Sequence, residues 1–218
     1  MNRRLPVGDN IRNSPYPDGP VDHDVPVLTV TDKQGKLTTI LFGYACHNTT
    51  LSFYDFCGDY AGFAQQEIER RHPGTIAMFV MGCGGDQNPY PRGQLDLAKQ
   101  HGATLALAVE AALQTPEISV AGPLTARLEE VEVTYSAPPT KAELESRMKE
   151  GNRYVARHAE RLLNQLETEG KLNESYPTLV QTIQFGDDLT LIALPGETVV
   201  DFSLRLKREL AEKNVWAA

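Results

Sequence analysis

Apolar residues follow two different rhythms along this chain. Val25 to Thr31 and Thr38 to Cys46 are β-rich runs on either side of Asp32-Lys33-Gln34-Gly35, the pattern of a hairpin. The second run, TTILFGYAC, is apolar enough to be a central strand. From Asp59 the spacing changes. Tyr60, Phe63, Ala64 and Ile68 fall on one helical stripe, with Asp59 placed as an N-cap, and this helix should end near His72-Pro73-Gly74. Thr75 to Met81 reads as the next buried strand. Leu95, Ala98, Gly102, Leu105, Val109 and Leu113 then mark one face of a second helix. Strand, helix, strand, helix is the order of a parallel sheet.

Beyond residue 124 the pattern loosens. LTARLEEVEVTY alternates, as a half-exposed strand does, and residues 140–170 form a charged helical stretch with Leu144, Met148, Val155, Leu162 and Leu166, broken near Gly151. Thr178 to Phe185 and Leu189 to Leu194 flank Gly186-Asp187-Asp188 as a second hairpin. A last helix is expected from near Glu197 to about Lys213, with Val200, Leu204 and Leu210 inward. Residues 1–25 are rich in Pro, Gly, Asn and Asp with little periodicity, which predicts an extended loop laid over a domain surface. The expected architecture is α/β: a mostly parallel or mixed sheet flanked by helices, with β-hairpin additions, in a single domain over 1–218.

Composition narrows the partners. A formal charge of −8 and a pI near 5.2 argue against a nucleic-acid surface or an anionic-membrane patch. No stretch approaches the roughly 18 apolar residues of a membrane span, and MNRRLPVGDNIRNSPYP lacks the apolar core of a signal peptide. No stable membrane insertion is therefore expected. Cys46, Cys57 and Cys83 show no C-x-x-C spacing, and each reads most simply as a small buried apolar residue.

Three chemically unusual groups lie just past the ends of expected core strands. They are His47 in GYACHNTT, the turn GCGGDQNP with Asp86 and Asn88, and Glu197 in ALPGET. In an open α/β sheet the crevice beyond the strand C-termini is where ligands bind. The turn has three glycines, which admit close neighbours, but it has no Lys-Ser/Thr pair and no G-x-G-x-x-G, so phosphate cradling is disfavoured. Each group also has an ordinary explanation. A strand-end histidine is commonly a hydrogen-bonded structural residue, a glutamate at a helix start is favoured by the macrodipole, and a glycine turn can serve shape alone. His and Glu are nitrogen and oxygen ligands that zinc accepts, although nothing in their separation brings them together. His23, His72, His101 and His158 sit in loop, helix-end and polar helix positions and read as surface residues.

The order IRNSPYP (11–17), YACHNTT (44–50), GDYAGFAQQEIE (58–69), FVMGCGGDQNP (79–89) and LPGETVVDFSLRLKREL (194–210) resembles the N-terminal domain of the neutral/alkaline non-lysosomal ceramidases. The resemblance implies a secreted or periplasmic zinc amidohydrolase that splits an N-acyl bond, with a small-molecule amide or a lipid as substrate. In that family the metal is held by two His, a Glu and a Tyr. His47 matches the second histidine and Glu197 the glutamate of the Pro-Gly-Glu motif. The family's first histidine, in a His-Thr-His-Ser motif, has no counterpart here, and the tyrosine lies beyond the Pro-Gly-Glu helix, past NVWAA. The chain thus reads as an internal portion of a longer domain, supplying two of four zinc ligands and expected to be inactive by itself.

The family carries Gly-Asp-x-Ser-Pro at the glycine turn, where this chain has Gly85, Asp86, Gln87, Asn88 and Pro89. The resemblance therefore places Asn88 where the family has a catalytic serine, with Asp86 holding the loop. An amide cannot attack a carbonyl but can donate to a developing oxyanion or orient water. The alternative is a non-catalytic lipid- or carbohydrate-binding module on the same scaffold.

Overall fold

The computed structural model describes residues 1–8 and 10–218. Contacts group them into two compact units, Met1–Leu128 with Gln181–Ala218, and Glu129–Val180.

In the first unit, the expected hairpin forms as β3 (Val27–Thr31) against β4 (Leu37–Tyr44). After α1 (Asp59–Arg71), strand β5 (Ile76–Met81) returns parallel to β4, with Tyr44 opposite Met81 at the C-terminal ends. The apolar second run is thus the central strand, in the order β3-β4-β5. Helix α2 (Leu95–Leu113) follows. Alternation directs Ile40 and Phe42 of β4 and Ala77 of β5 to one face, where they meet Ala61, Ala64 and Ile68 of α1 and Leu105, Ala106 and Val109 of α2. Each fully buried Ile or Phe there is worth about 1.5–3 kcal/mol. The two helices approach closely because Gly102 has no side chain: a Cβ would lie 2.6 Å from the Phe63 Cβ and 2.7 Å from the Tyr60 carbonyl oxygen.

The rest of this unit corrects the sequence reading in three places. Residues 1–25 contain an antiparallel hairpin, β1 (Asn2–Val7) and β2 (Asn10–Tyr16), rather than extended loop alone; Asp9 lies outside the described residues. The last helix, α5 (Val200–Glu209), starts three residues after Glu197, because Gly196 takes φ 75° and Val199 is extended. The closing residues form a further strand, β9 (Val215–Ala217), parallel to β8 (Leu189–Ala193), which itself pairs antiparallel with β7 (Ser175–Phe185). Gly43 of β4 makes room for Trp216 of β9, whose Cζ2 would be 2.7 Å from an added Cβ. Parallel and antiparallel pairs coexist, so the fold is α/β with mixed sheets flanked by helices. Among the described residues, no helix is long and apolar enough to cross a membrane.

A partly buried ion pair ties α5 to the segment after β2. Lys207 Nζ donates to both Asp22 carboxylate oxygens at 2.8 and 2.7 Å and to Asp24 at 2.7 Å, and Ser203 Oγ donates to Asp22 at 2.6 Å. Burial pushes the Asp22 carboxyl up, but the hydrogen bonds from Lys207, Ser203 and the Asp24 backbone outweigh it and hold it below the usual carboxylate range. A lowered folded value means that this stabilisation is present above the unfolded value of 3.8 and is lost as pH falls through the folded one. Asp22→Asn should therefore cost about 2 kcal/mol at pH 7, less than the ~3–5 kcal/mol of a fully enclosed pair because Lys207 reaches solvent. Urea unfolding should show the gap between wild type and variant narrowing below pH 4.

The second unit contains the outer part of β6 (Leu124–Thr134), α3 (Lys141–Arg147), α4 (Arg153–Glu169) and the first part of β7. The expected break near Gly151 is real and locally encoded. Thr140 and Glu143 form a capping box at α3, Asn152 Oδ1 accepts the Tyr154 N–H at the start of α4, and Gly170 closes α4 at φ 74°. Leu144, Ala159 and Leu163 make its small core.

Candidate functional site

The parallel register of β4 and β5 sends their two exit segments out at the same level, and the glycines of the turn let those segments touch. A Cβ on Gly84 would sit 2.7 Å from the Cys46 amide nitrogen, on the path to His47. One on Gly85 would lie 2.6 Å from the Glu197 carbonyl carbon and collide with its oxygen. Gly85 N–H also donates to the Thr198 carbonyl at 2.8 Å. The close neighbours that the turn admits are thus the two segments carrying His47 and Glu197.

His47 is held twice by one acceptor. Its backbone N–H donates to the Gln87 carbonyl at 3.1 Å and its ring Nδ1 lies 2.9 Å from the same oxygen. A carbonyl can only accept, so Nδ1 carries a proton and Nε2 is the ring nitrogen left toward Glu197. That nitrogen is 3.7 Å from Glu197 Oε1. An imidazole nitrogen and a carboxylate oxygen facing each other can share an electrophile, whether a proton or a metal ion. Ligand bonds of about 2.0–2.1 Å to a tetrahedral ion put two donors about 3.3 Å apart, so the pair fits zinc after a small adjustment. Among the described residues no third His, Cys, Asp or Glu joins them.

Asp86 is 1% exposed and fully engaged. Its Oδ1 accepts from the Val200 N–H at the start of α5 (3.0 Å) and from Gln87 Nε2 (3.1 Å), and its Oδ2 accepts from Asn2 Nδ2 (3.1 Å). This carboxylate fastens the turn to α5 and to β1, and both oxygens point away from solvent. Asn88 is half-buried. Its Oδ1 takes a long 3.5 Å contact from Thr49 Oγ1, and its Nδ2 finds no partner among the described residues.

The two buried cysteines offer no thiolate. Burial pushes the Cys46 and Cys83 thiols up to about 11, so both are protonated near neutrality. Cys57 is exposed, contrary to its expected burial. Asp59 does not cap α1 in the ordinary way: at φ 52°, its carboxylate accepts from the Leu51 and Tyr60 N–H groups at 2.9 and 2.7 Å. Of the other histidines, His72 pairs with Glu110 at 2.9 Å, and His101 Nε2 lies 2.8 Å from the Pro91 carbonyl.

Arg3 carries no signal in the sequence. Its guanidinium donates to the Gly85 carbonyl through Nη2 (2.7 Å) and Nε (3.3 Å), and through Nη2 to Glu197 Oε2 (3.2 Å).

No family model and no curated protein matches the chain. Solved structures do. A neutral ceramidase from Pseudomonas aeruginosa aligns with a TM-score of 0.60 at 20% identity over 89% of this chain and 39% of its own. A ceramidase complexed with C2 aligns with a TM-score of 0.63 at 19% identity, covering 93% and 42%. The chain therefore has the fold of part of a neutral ceramidase and spans about two fifths of those chains.

Proposed function

We propose that this chain carries part of the active site of a zinc-dependent hydrolase of the neutral ceramidase type, one that cleaves an N-acyl amide, a sphingolipid amide among the candidates. The observation that supports this most is the facing of His47 Nε2 and Glu197 Oε1 across 3.7 Å, with the imidazole tautomer set by the Gln87 carbonyl. Histidine ligands of metals commonly donate their other N–H in this way, which fixes the ring and raises its basicity. A bound zinc ion would polarise the scissile carbonyl and lower the pKa of water to near 7, so that no serine is required.

The remaining roles fall to residues around that pair. Asn88, with a side-chain amide donor left unused, faces the task of orienting water or donating to the carbonyl oxygen as it gains charge. Asp86 keeps the turn and the start of α5 in register and does not take the proton itself. Two side chains make a weak zinc site, since catalytic zinc normally has three protein ligands and water. The other ligands would come from parts of a longer protein, as the span of the matched ceramidases allows.

Metal analysis of the purified full-length protein, with N-acyl sphingoid and simpler N-acyl amide substrates, tests the reading. One equivalent of zinc and chelator-sensitive release of fatty acid are expected. A folded full-length protein with no zinc and no hydrolysis would favour the non-catalytic binding module instead.

A further inference from the structure

Glu197 is the one partner of the pair with little to hold it. Its side chain is 71% exposed, against 14% for His47, and among the described residues only Arg3 donates to its carboxylate. A glutamate free to sample rotamers gives up that conformational freedom when it is fixed. Something must keep Oε1 turned toward His47.

We propose that Arg3 is the positioning residue for Glu197, holding its carboxylate in ligating orientation by a bridge from the Gly85 carbonyl. Oε2 is taken by Nη2, which leaves Oε1 as the oxygen offered to His47. The bridge is firm because its root is firm. Asn2 is 2% exposed, and its Nδ2 donates to the Pro20 carbonyl at 2.9 Å as well as to Asp86. Arg3 N–H donates to the Asp86 carbonyl at 2.8 Å, and Arg4 N–H to Asn2 Oδ1 at 2.8 Å. Strand β1 is thereby stitched to the glycine turn beside the point where Arg3 reaches over it. The guanidinium suits this task because its planar fork can serve a carbonyl and a carboxylate together, whereas an ammonium is a point charge on a flexible stem. With Oε2 occupied, Glu197 would have one oxygen, Oε1, left to offer a metal ion.

This inference rests on the metal-site reading above, and its test separates the two. Zinc affinity of the full-length protein is measured by competition with a chromophoric chelator for wild type, Arg3→Ala, Arg3→Lys and His47→Ala. Folding is checked by circular dichroism. Arg3→Ala should bind zinc about 10–100-fold more weakly, the usual cost of losing a group that orients a ligand. Arg3→Lys keeps the charge and should recover only part of that loss; it also carries the test if the alanine variant does not fold. In the cobalt-substituted proteins, the visible d–d bands should weaken in Arg3→Ala as Glu197 becomes free to ligate through both oxygens and the coordination number rises. If Arg3→Ala binds zinc as tightly as wild type or more tightly, while His47→Ala loses it, the positioning role is overturned and the metal site stands. If wild type itself takes up no zinc, both readings fall.

Discussion

Replacing His47 with alanine in the full-length protein is expected to remove zinc and hydrolysis together while leaving the fold in place. The two effects separate because His47 makes two different bonds to Gln87. The backbone N–H to carbonyl bond of 3.1 Å survives the substitution and continues to join the β4 exit to the glycine turn. The ring bond of 2.9 Å and the Nε2 lone pair both disappear. Loss of a direct ligand should exceed the roughly 10–100-fold penalty of disturbing a group behind one. Activity should fall to the level of a chelated control, and zinc to a small fraction of an equivalent. Thermal unfolding supplies an independent measurement. A ligand that binds only the folded state raises the melting temperature with its concentration, so wild type should gain stability with added zinc and His47→Ala should not. A variant that retains full zinc would remove His47 from the ligand set.

Much of the scaffold is legible in the sequence because its signals are local. β3, β4, α1, β5 and α2 stand out because their apolar periodicity is what buries Ile40, Phe42 and Ile68 against one another. The break between α3 and α4 follows from capping residues that sit next to the helices they stop. What escaped depends on contacts distant in sequence. The hairpin β1–β2 has almost no apolar alternation; Asn2 is buried because its amide meets Asp86, 84 positions away. β9 is a strand only because β8 lies beside it. Arg3 acquires its place from that same hairpin, so no spacing rule could have linked it to Glu197, 194 positions away.

The strand-end positions of His47, the turn and Glu197 did foreshadow their meeting, although by an indirect route. The exits of β4 and β5 belong to one parallel pair, but Glu197 arrives from β8, in a separately hydrogen-bonded sheet. The join is made by backbone contact of Gly85 with the Glu197–Thr198 segment and by Asp86 gripping the start of α5. The turn's glycines and its acid therefore have a structural reason independent of chemistry. Only Asn88 is left without one.

Asn88→Ala isolates that remaining residue. The backbone N–H of Asn88 donates to the Met1 carbonyl at 3.0 Å, and the side chain's long contact with Thr49 contributes little, so truncation should leave stability and zinc content unchanged. If the amide donates to the carbonyl oxygen only as charge develops on it, the interaction belongs to the transition state. kcat should then fall on the order of 10²-fold, the cost of one donor in an oxyanion hole, with KM nearly constant. A rise in KM at constant kcat would instead assign Asn88 to substrate binding in the ground state. Asn88→Asp sharpens the distinction, because it keeps the size and replaces the amide by a carboxylate that accepts but cannot donate when ionised. It should be at least as slow as the alanine variant. Hydrolysis at the wild-type rate in both variants would leave the turn as a clasp for Glu197 and exclude its amide from the reaction.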